Sequence, residues 1–125
     1  MNRRVEVVAH KGAHRTDEGG HAENTLAAFE RAVEIGVDWV EFDVNTTADG
    51  HLVVIHDGTV DRTTNGAGAV NSLALDEVRR LDAGGRQPVP TLGETLDLLR
   101  GRAGAYLEVK DADPAAILVA LQRCD

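Results

Sequence analysis

The sequence predicts an α/β fold with a mostly parallel sheet. Short apolar strand-like runs alternate along the chain with segments that have helical spacing, except at the step from the second to the third strand. The strands are largely apolar, as is typical of strands that are buried on both faces. With 125 residues, the chain corresponds to one domain or to a piece of one.

Residues that begin or end secondary structure set the limits of the predicted elements. Asn24 and Thr25 precede the first helix and Gly36 closes it, while Thr91 and Glu94 form a capping box. The predicted strands cover residues 5–10, 39–44, 51–57 and 105–110. The predicted helices cover residues 26–35, 73–81, 92–99 and 114–122, and polar loops are expected over 14–20 and 58–69.

Composition excludes several classes of function. Acidic residues outnumber basic residues 21 to 13, and the resulting net charge of −8 argues against non-specific binding of nucleic acid. Aromatic residues make up 3% of the chain, too few for the stacking surfaces that bind single strands. The single cysteine, Cys124, excludes an internal disulfide and a cysteine-based zinc site. No apolar run approaches the ~20 residues of a transmembrane helix and no signal-peptide core follows Met1. We therefore expect a cytoplasmic protein, the alternative being a piece whose signal was removed.

Polar side chains interrupt the predicted strands near their carboxyl ends. They are His10 in the first strand, Glu41 and Asp43 in the second, His56 and Asp57 in the third, and Glu108 and Lys110 in the fourth. Because side chains alternate along a strand, Glu41 and Asp43 share one face, and the apolar residues between them point to the other. Four strands are therefore expected to bring polar groups to one end of the sheet, where ligands bind in α/β folds.

The three carboxylates predict a cation site. Glu41, Asp43 and Glu108 would repel one another at one end of a sheet unless a cation held them. An all-oxygen ligand set favours a hard ion such as Mg²⁺, Ca²⁺ or Mn²⁺ over zinc. The alternative interpretation is that these carboxylates stand at exposed strand ends, with Glu108 in a weak ion pair with Lys110.

Histidines and lysines at the same end of the sheet indicate an anionic substrate. His10 and His56 can supply a general acid and a general base near neutral pH, although each also suits a structural role. Lys11 and Lys110 are the only lysines in the chain, and both stand beside these groups. In a chain with a net charge of −8, cations kept at this edge favour a group such as phosphate.

Other polar residues leave more than one interpretation open. Asp57 fits either a loop cap or a catalytic group. Arg62 fits either substrate binding or the ordering of its own loop. His14, His21 and His51 lie in loops or at a strand start, and we expect them to be solvated.

A series of short motifs runs through essentially the whole chain in a fixed order. The motifs are His10-Lys11-Gly12, Ala22-Glu23-Asn24-Thr25, Glu41-Phe42-Asp43-Val44, Val53-Val54-Ile55-His56-Asp57, Asp61-Arg62-Thr63-Thr64-Asn65-Gly66, Pro90-Thr91-Leu92 and Glu108-Val109-Lys110. Each motif alone is weak, but the ordered series is specific. The sequence resembles the glycerophosphodiester phosphodiesterase family.

The resemblance implies a TIM (β/α)8 barrel and the hydrolysis of glycerophosphodiesters to glycerol 3-phosphate and an alcohol, a reaction of lipid and glycerol metabolism. It implies that the metal ligands are Glu41, Asp43 and Glu108, and that the acid–base pair is His10 and His56. It implies that Lys11 binds the phosphate and that Lys110 faces the phosphate or the metal site, and we group Arg62 with them as a phosphate-binding residue. Glu23 and Asn24 are expected to support the site, Glu23 either as a further ligand or by orienting one.

Two residues depart from the pattern of the family. Lys11 stands where the family has arginine, which keeps the charge but loses the bidentate fork that matches a phosphate. Ala22 stands where the family has proline, and we expect this change to loosen the entry to the first helix. Neither change affects a proposed metal ligand or histidine.

Length is the largest departure, because a TIM barrel takes about 250 residues. Residues 1–125 are therefore expected to form the N-terminal half of the domain. A half barrel exposes sheet edges and part of its inner face, so a second half or a second copy of the chain is expected to complete it. The alternatives are a non-catalytic half-barrel module for binding or assembly, and a related phosphodiesterase with another substrate.

Overall fold

A computed structural model describes residues 4–14 and 21–123, so most of the loop expected over 14–20, and Cys124, lie outside the described residues. The strands are β1 (Val8–His10), β2 (Trp39–Thr46), β3 (Leu52–Val54) and β4 (Gly104–Val109). The helices are α1 (Leu26–Ile35), α2 (Leu75–Arg79), α3 (Leu92–Leu99) and α4 (Pro114–Arg123), with a 3-10 turn over Val70–Ser72. Across the two described ranges, none of the helices has the length and apolar character needed to cross a membrane.

The long strand β2 pairs with all three of the other strands. It is parallel to β1 and to β4, and antiparallel to β3. The antiparallel pairing follows from the short connection over residues 47–51, since a hairpin can join only antiparallel strands. In that connection the Thr47 amide donates to the His51 carbonyl at 2.9 Å. The expectation that four strands end at one edge is therefore wrong for β3, which runs back along β2.

Three predicted boundaries shift in the structure. β1 begins at Val8 and not at residue 5, and the side chain of Val5 is exposed. β3 ends at Val54 because only the last three residues of β2 are paired with it. The helix predicted over 73–81 is reduced to α2, because Leu73 is extended at the end of the 3-10 turn. The other helices and strands lie within two residues of their predicted limits.

The main core lies between the sheet and helices α1, α3 and α4. Val40, Phe42 and Val44 alternate along β2 and are fully buried, as the alternation of polar and apolar residues predicts. The rings of Phe29 on α1 and Phe42 pack at 5.7 Å between their centroids. This apolar face fixes the register of β2, so the polar residues between these positions must point to the opposite side of the sheet.

Helix α1 begins and ends at the residues that the sequence predicts. The Thr25 hydroxyl accepts a hydrogen bond from the Ala28 amide at 3.2 Å and donates one to the Ala22 carbonyl at 2.8 Å. At the other end Gly36 has a φ of 93°, a left-handed conformation that glycine adopts without strain. The start of this helix positions Asn24, which is one of the predicted site residues.

Replacing Thr25 by alanine should lower the free energy of unfolding by about 1 kcal/mol, because the first turn of α1 loses its capping oxygen. Thermal unfolding followed by circular dichroism measures the effect. A Thr25→Ser variant keeps the hydroxyl and should remain close to the parent chain. Equal stability of the alanine variant and the parent would show that the cap contributes little.

The polar face of the sheet also carries exposed apolar side chains. Val8, Trp39 and Tyr106 are 51%, 36% and 60% exposed, and they lie on the same side of the sheet as Glu41 and Asp43. Burial on both faces is therefore confirmed for β2 and for the end of β3, where Val53 and Val54 are both buried, while β1 and β4 are partly open. Exposure of the inner face agrees with the expectation for half of a barrel.

Candidate active site

Three carboxylates meet on the inner face of the sheet. Glu41 and Asp43 lie two residues apart on β2 and are buried, and Glu108 on β4 lies directly beside Asp43 in the parallel register. One carboxylate oxygen from each residue lies within 4.8 Å of the others. The sheet therefore brings together the three residues that were predicted as metal ligands.

This carboxylate cluster fits a hard divalent cation. Glu41 Oε1 and Asp43 Oδ1 are buried and have no hydrogen-bond partner among residues 4–14 and 21–123. Burial raises the pKa of Glu41, and the neighbouring charge of Asp43 raises it further. Buried carboxylate oxygens without partners are costly unless a positive charge compensates them, and an all-oxygen set suits Mg²⁺, Ca²⁺ or Mn²⁺.

Asn24 holds one of these carboxylates in place. Its side-chain amide donates to Asp43 Oδ2 at 3.0 Å, and its backbone amide donates to the Lys11 carbonyl at 3.0 Å. Asn24 has a φ of 52°, and asparagine is among the residues that tolerate this left-handed conformation best. The structure thus agrees with a supporting position for Asn24 beside the cluster.

The end of β1 brings His10 and the backbone of Lys11 to Glu41. His10 Nε2 lies 3.5 Å from Glu41 Oε2, and the same oxygen accepts the backbone amide of Lys11 at 3.0 Å. The Lys11 ammonium lies 3.3 Å from Glu23 Oε2.

At Gly12, which has a φ of 83°, an added Cβ would lie 2.8 Å from the ring of Phe29. This close approach to α1 requires glycine directly after the two site residues.

His56 reaches the same end of the sheet because β3 runs antiparallel to β2. The Ile55 amide donates to the Asp43 carbonyl at 3.0 Å, so the residue after it enters the site as the strand finishes. His56 Nδ1 lies 2.6 Å from Asp57 Oδ1. The sequence therefore predicts the correct edge for His56, although the parallel-strand argument for that placement is wrong.

Asn45 fixes the segment that carries His56, and sequence reasoning misses it. Its buried side-chain amide donates to the carbonyl of Ile55 at 2.7 Å and contacts those of His56 and Asp57 at 3.4 and 3.3 Å. The sequence contains a pattern that indicates Asn45, because residues 41, 43 and 45 are all polar and lie on one face of β2. Asn45 extends that series by one step.

Arg62 lies between two carboxylates. Its guanidinium donates to Asp57 Oδ2 through Nε at 2.8 Å and to Glu23 Oε1 through a terminal nitrogen at 2.7 Å. Together these partners raise the pKa of Arg62, and the bonds to Arg62 and His56 hold the pKa of Asp57 well below its usual range. Glu23, predicted as a further ligand or an orienting group, is engaged by Arg62 and by Lys11.

Lys110 pairs with the third carboxylate of the cluster. Its ammonium donates to Glu108 Oε1 at 2.9 Å, which lowers the pKa of Glu108 and raises that of Lys110. Glu108 is about half exposed, with 52% of its side-chain surface accessible. The ion pair expected as the alternative interpretation is therefore present, and it lies within the cluster itself.

His14 and His21 differ from the sequence expectation, because both are half-buried and not fully solvated. The two residues pair through an isolated parallel bridge. His14 Nδ1 lies 3.0 Å from the His10 carbonyl, and the imidazole rings of His10 and His14 meet edge to face at 6.3 Å. His51 is exposed in the hairpin, as expected.

Comparison with known proteins gives a family for this arrangement of residues. A family model described as the glycerophosphoryl diester phosphodiesterase family matches residues 14–117. The chain belongs to this family. The match covers most of the chain and includes Glu41, Asp43, His56 and Glu108, which confirms the resemblance drawn from the ordered motifs.

Curated members of the family are similar to this chain over most of its length. A glycerophosphodiester phosphodiesterase from Caldanaerobacter subterraneus is 52% identical over 94 residues, which cover 70% of this chain and 39% of that protein. A glycerophosphodiester phosphodiesterase from Bacillus subtilis is 38% identical, over 88% of this chain and 41% of that protein. The chain thus spans less than half the length of these relatives.

Solved structures of the family share the fold. The crystal structure of a glycerophosphodiester phosphodiesterase from Agrobacterium tumefaciens has a TM-score of 0.90 and 43% identity, and the match covers 97% of this chain and 54% of that chain. A phosphodiesterase from Oleispira antarctica in complex with the product sn-glycerol-3-phosphate has a TM-score of 0.85 and 33% identity, with 52% of that chain covered. The fold of this chain is therefore that of about half of a TIM barrel of this family.

Proposed function

We propose that the chain carries the metal-binding and acid–base half of a glycerophosphodiester phosphodiesterase. The proposed reaction is metal-dependent hydrolysis of a glycerophosphodiester to glycerol 3-phosphate and an alcohol. The observation that carries the proposal is the cluster of Glu41, Asp43 and Glu108 oxygens within 4.8 Å, with His10 at its edge. The Oleispira antarctica relative with bound sn-glycerol-3-phosphate supports the choice of product.

In this proposal Glu41, Asp43 and Glu108 hold Mg²⁺ or Ca²⁺, with Mn²⁺ as a further candidate. When bound, such an ion neutralises negative charge on a phosphodiester and helps to align it. Asn24 keeps Asp43 oriented through its 3.0 Å hydrogen bond, and the Lys11 amide does the same for Glu41. Within the described part of the chain, these supports leave Glu41 Oε1 and Asp43 Oδ1 without other hydrogen-bond partners.

The remaining residues act on the phosphate and on the protons of the reaction. Lys11 and Lys110 provide positive charge on either side of the cluster, where it offsets negative charge on the phosphate. His10 and His56 form the acid–base pair: one accepts a proton from the attacking nucleophile, either water or the glycerol 2-hydroxyl, and the other donates one to the leaving alcohol oxygen. Nδ1 of His56 is hydrogen-bonded to Asp57, so Nε2 is the atom that exchanges a proton with the substrate or the nucleophile in this proposal.

We also propose that residues 1–125 form the N-terminal half of the domain and that a second half or a second copy of the chain completes it. The exposed Val8, Trp39 and Tyr106 on the inner face support this proposal, because such a surface is normally covered. Sedimentation measurements distinguish the two forms of completion. A stable dimer supports assembly from two copies, and aggregation supports a missing second half.

The test of the proposed function is release of glycerol 3-phosphate from glycerophosphocholine. We expect release with Mg²⁺ or Ca²⁺ once the barrel is complete, and loss of release when a chelator removes the cation. An enzyme-coupled assay for glycerol 3-phosphate measures the rate. A completed barrel that binds the cation but releases no product from glycerophosphodiesters would favour a binding module, or a phosphodiesterase with another substrate.

A further inference from the structure

The guanidinium of Arg62 makes four hydrogen bonds to two carboxylates from distant parts of the chain. It donates to both oxygens of Asp57, at 2.8 and 3.0 Å, and to both oxygens of Glu23, at 2.7 and 3.2 Å. Glu23 precedes α1 and Asp57 follows β3, so the arginine ties two segments together. Bidentate arginine–carboxylate pairs are geometrically specific as well as strong.

These contacts leave little capacity for a phosphate. A guanidinium has five N–H donors, and four hydrogen bonds already go to carboxylates. A phosphate bound at the same place would also approach two negative side chains. Of the two interpretations that the sequence leaves open for Arg62, substrate binding is therefore not the one that its surroundings favour.

Asp57, one of the two carboxylates that pair with Arg62, sets the tautomer of His56. The pKa of Asp57 lies well below its usual range because of Arg62 and His56, so Asp57 is ionised and can only accept hydrogen bonds. At 2.6 Å, His56 Nδ1 must therefore carry the proton of this bond. In a neutral imidazole, the lone pair is then at Nε2.

Glu23, the other carboxylate that pairs with Arg62, contacts Lys11. Glu23 Oε2 lies 3.3 Å from Lys11 Nζ, and the side chain of Lys11 is only 13% exposed. Side-chain contacts thus run without a break from Lys11 through Glu23, Arg62 and Asp57 to His56. Arg62 is the central member of this series.

The loop around Arg62 is built to hold it in place. Val60 is fully buried, and its amide donates to the Gly68 carbonyl at 2.9 Å. The Gly68 amide in turn donates to Asp61 Oδ1 at 2.9 Å. At Gly66, an added Cβ would lie 2.6 Å from the side chain of Leu81, so the loop packs closely on the chain that follows it.

We propose that Arg62 is a positioning residue that fixes His56 in its Nδ1–H tautomer through Asp57 and restrains Lys11 through Glu23. It does not contact the substrate. The catalytic meaning of this arrangement rests on the proposed function, because only there does His56 transfer a proton. The tautomer itself can be measured without turnover, so failure of the two proposals is distinguishable.

The test is ¹⁵N NMR of the histidine side chains in the 125-residue chain, recorded at alkaline pH where the imidazoles are neutral. A His56→Gln spectrum identifies the signals of His56. We expect the Nδ1–H form to dominate in the parent chain. We expect the ratio of the Nδ1–H form to the Nε2–H form of His56 to fall about tenfold in Asp57→Ala and about threefold in Arg62→Gln. The first variant removes a hydrogen bond to a charged group, which is among the stronger kinds, and the second removes the residue that holds this group in place. Arg62→Lys keeps the charge without the fork and should lie between parent and glutamine variant.

Arg102→Gln is the matched control, since Arg102 makes a bidentate pair with Glu30 at 2.9 and 2.6 Å on the outer surface. It should leave the tautomer of His56 unchanged. An unchanged His56 ratio in a folded Arg62→Gln chain would overturn the proposal. Titration with inorganic phosphate supplies a second readout. If Arg62→Gln weakens phosphate binding while the tautomer stays the same, Arg62 is an anion ligand and the proposal is wrong.

Discussion

Replacing Glu41 by glutamine should make the stability of the chain insensitive to divalent cations. Glu41 is buried beside Asp43, and its pKa is raised, chiefly by burial. A carboxyl group whose pKa is raised in the fold stabilises it below the unfolded pKa, and that contribution is lost as the pH rises through the folded pKa. At neutral pH without a cation, the charge on Glu41 therefore destabilises the fold, and glutamine removes that charge.

Thermal unfolding at neutral pH measures this effect directly. In a chelator, the Glu41→Gln chain should melt at a higher temperature than the parent. With Mg²⁺, Ca²⁺ or Mn²⁺, the parent should gain stability while the variant gains little, because binding to the folded state stabilises it. Calorimetric titration should show cation affinity weaker by about a hundredfold or more, since even residues that only support metal ligands can contribute that much.

Glu34→Gln is the matched control for this prediction. Glu34 is on α1 with its side chain 53% exposed and pairs only with Arg31 among the described contacts. The same change of charge there should leave both the cation response and the affinity unaffected. A Glu41→Gln chain that still binds the cation as tightly as the parent would remove Glu41 from the ligand set.

Replacing His56 by glutamine should lower turnover by about a hundredfold or more in a preparation that releases glycerol 3-phosphate. Positioned general acids and bases typically contribute at least this much, and glutamine cannot exchange a proton near neutral pH. Cation binding should be unaffected, because His56 is not one of the residues of the carboxylate cluster that we propose as the cation ligands. The measurement is kcat for the same glycerophosphodiester, with and without added cation.

His51→Gln serves as the control because its side chain is exposed in the hairpin and lies 3.9 Å from Asp49. It should keep kcat within a few-fold of the parent chain. If His56→Gln retained comparable activity, His56 would have no part in proton transfer. A loss in which KM rises while kcat is unchanged would instead indicate a role in substrate binding.

The carboxylate cluster was predictable because it depends on simple periodicities. Alternation along a strand places Glu41 and Asp43 on one face, and the apolar residues between them decide which face is inside. Glu108 joins them because β4 pairs with β2 in parallel, which the succession of strands and helices already favours. The alternation of side chains along a strand and the rules for connecting strands were therefore sufficient to predict this part of the site.

The surroundings of His56 were not predictable by the same rules. The strand before it turned out to be antiparallel, so its position depends on hairpin geometry and on Asn45. Arg62 and Glu23 lie 39 positions apart in sequence, and no periodicity relates them. Contacts of this kind arise from the way loops pack on one another, which a single sequence does not encode in any regular spacing.

The central position of β2 has a consequence for how firmly each part of the site is held. Amide hydrogens in a strand paired on both sides exchange with solvent only through large openings of the fold, whereas edge strands fray more readily. Glu41 and Asp43 stand on β2, while His10 and Glu108 stand on the flanking strands β1 and β4, which are partly open. We therefore expect the backbone amides of Glu41 and Asp43 to exchange more slowly than those of His10 and Glu108.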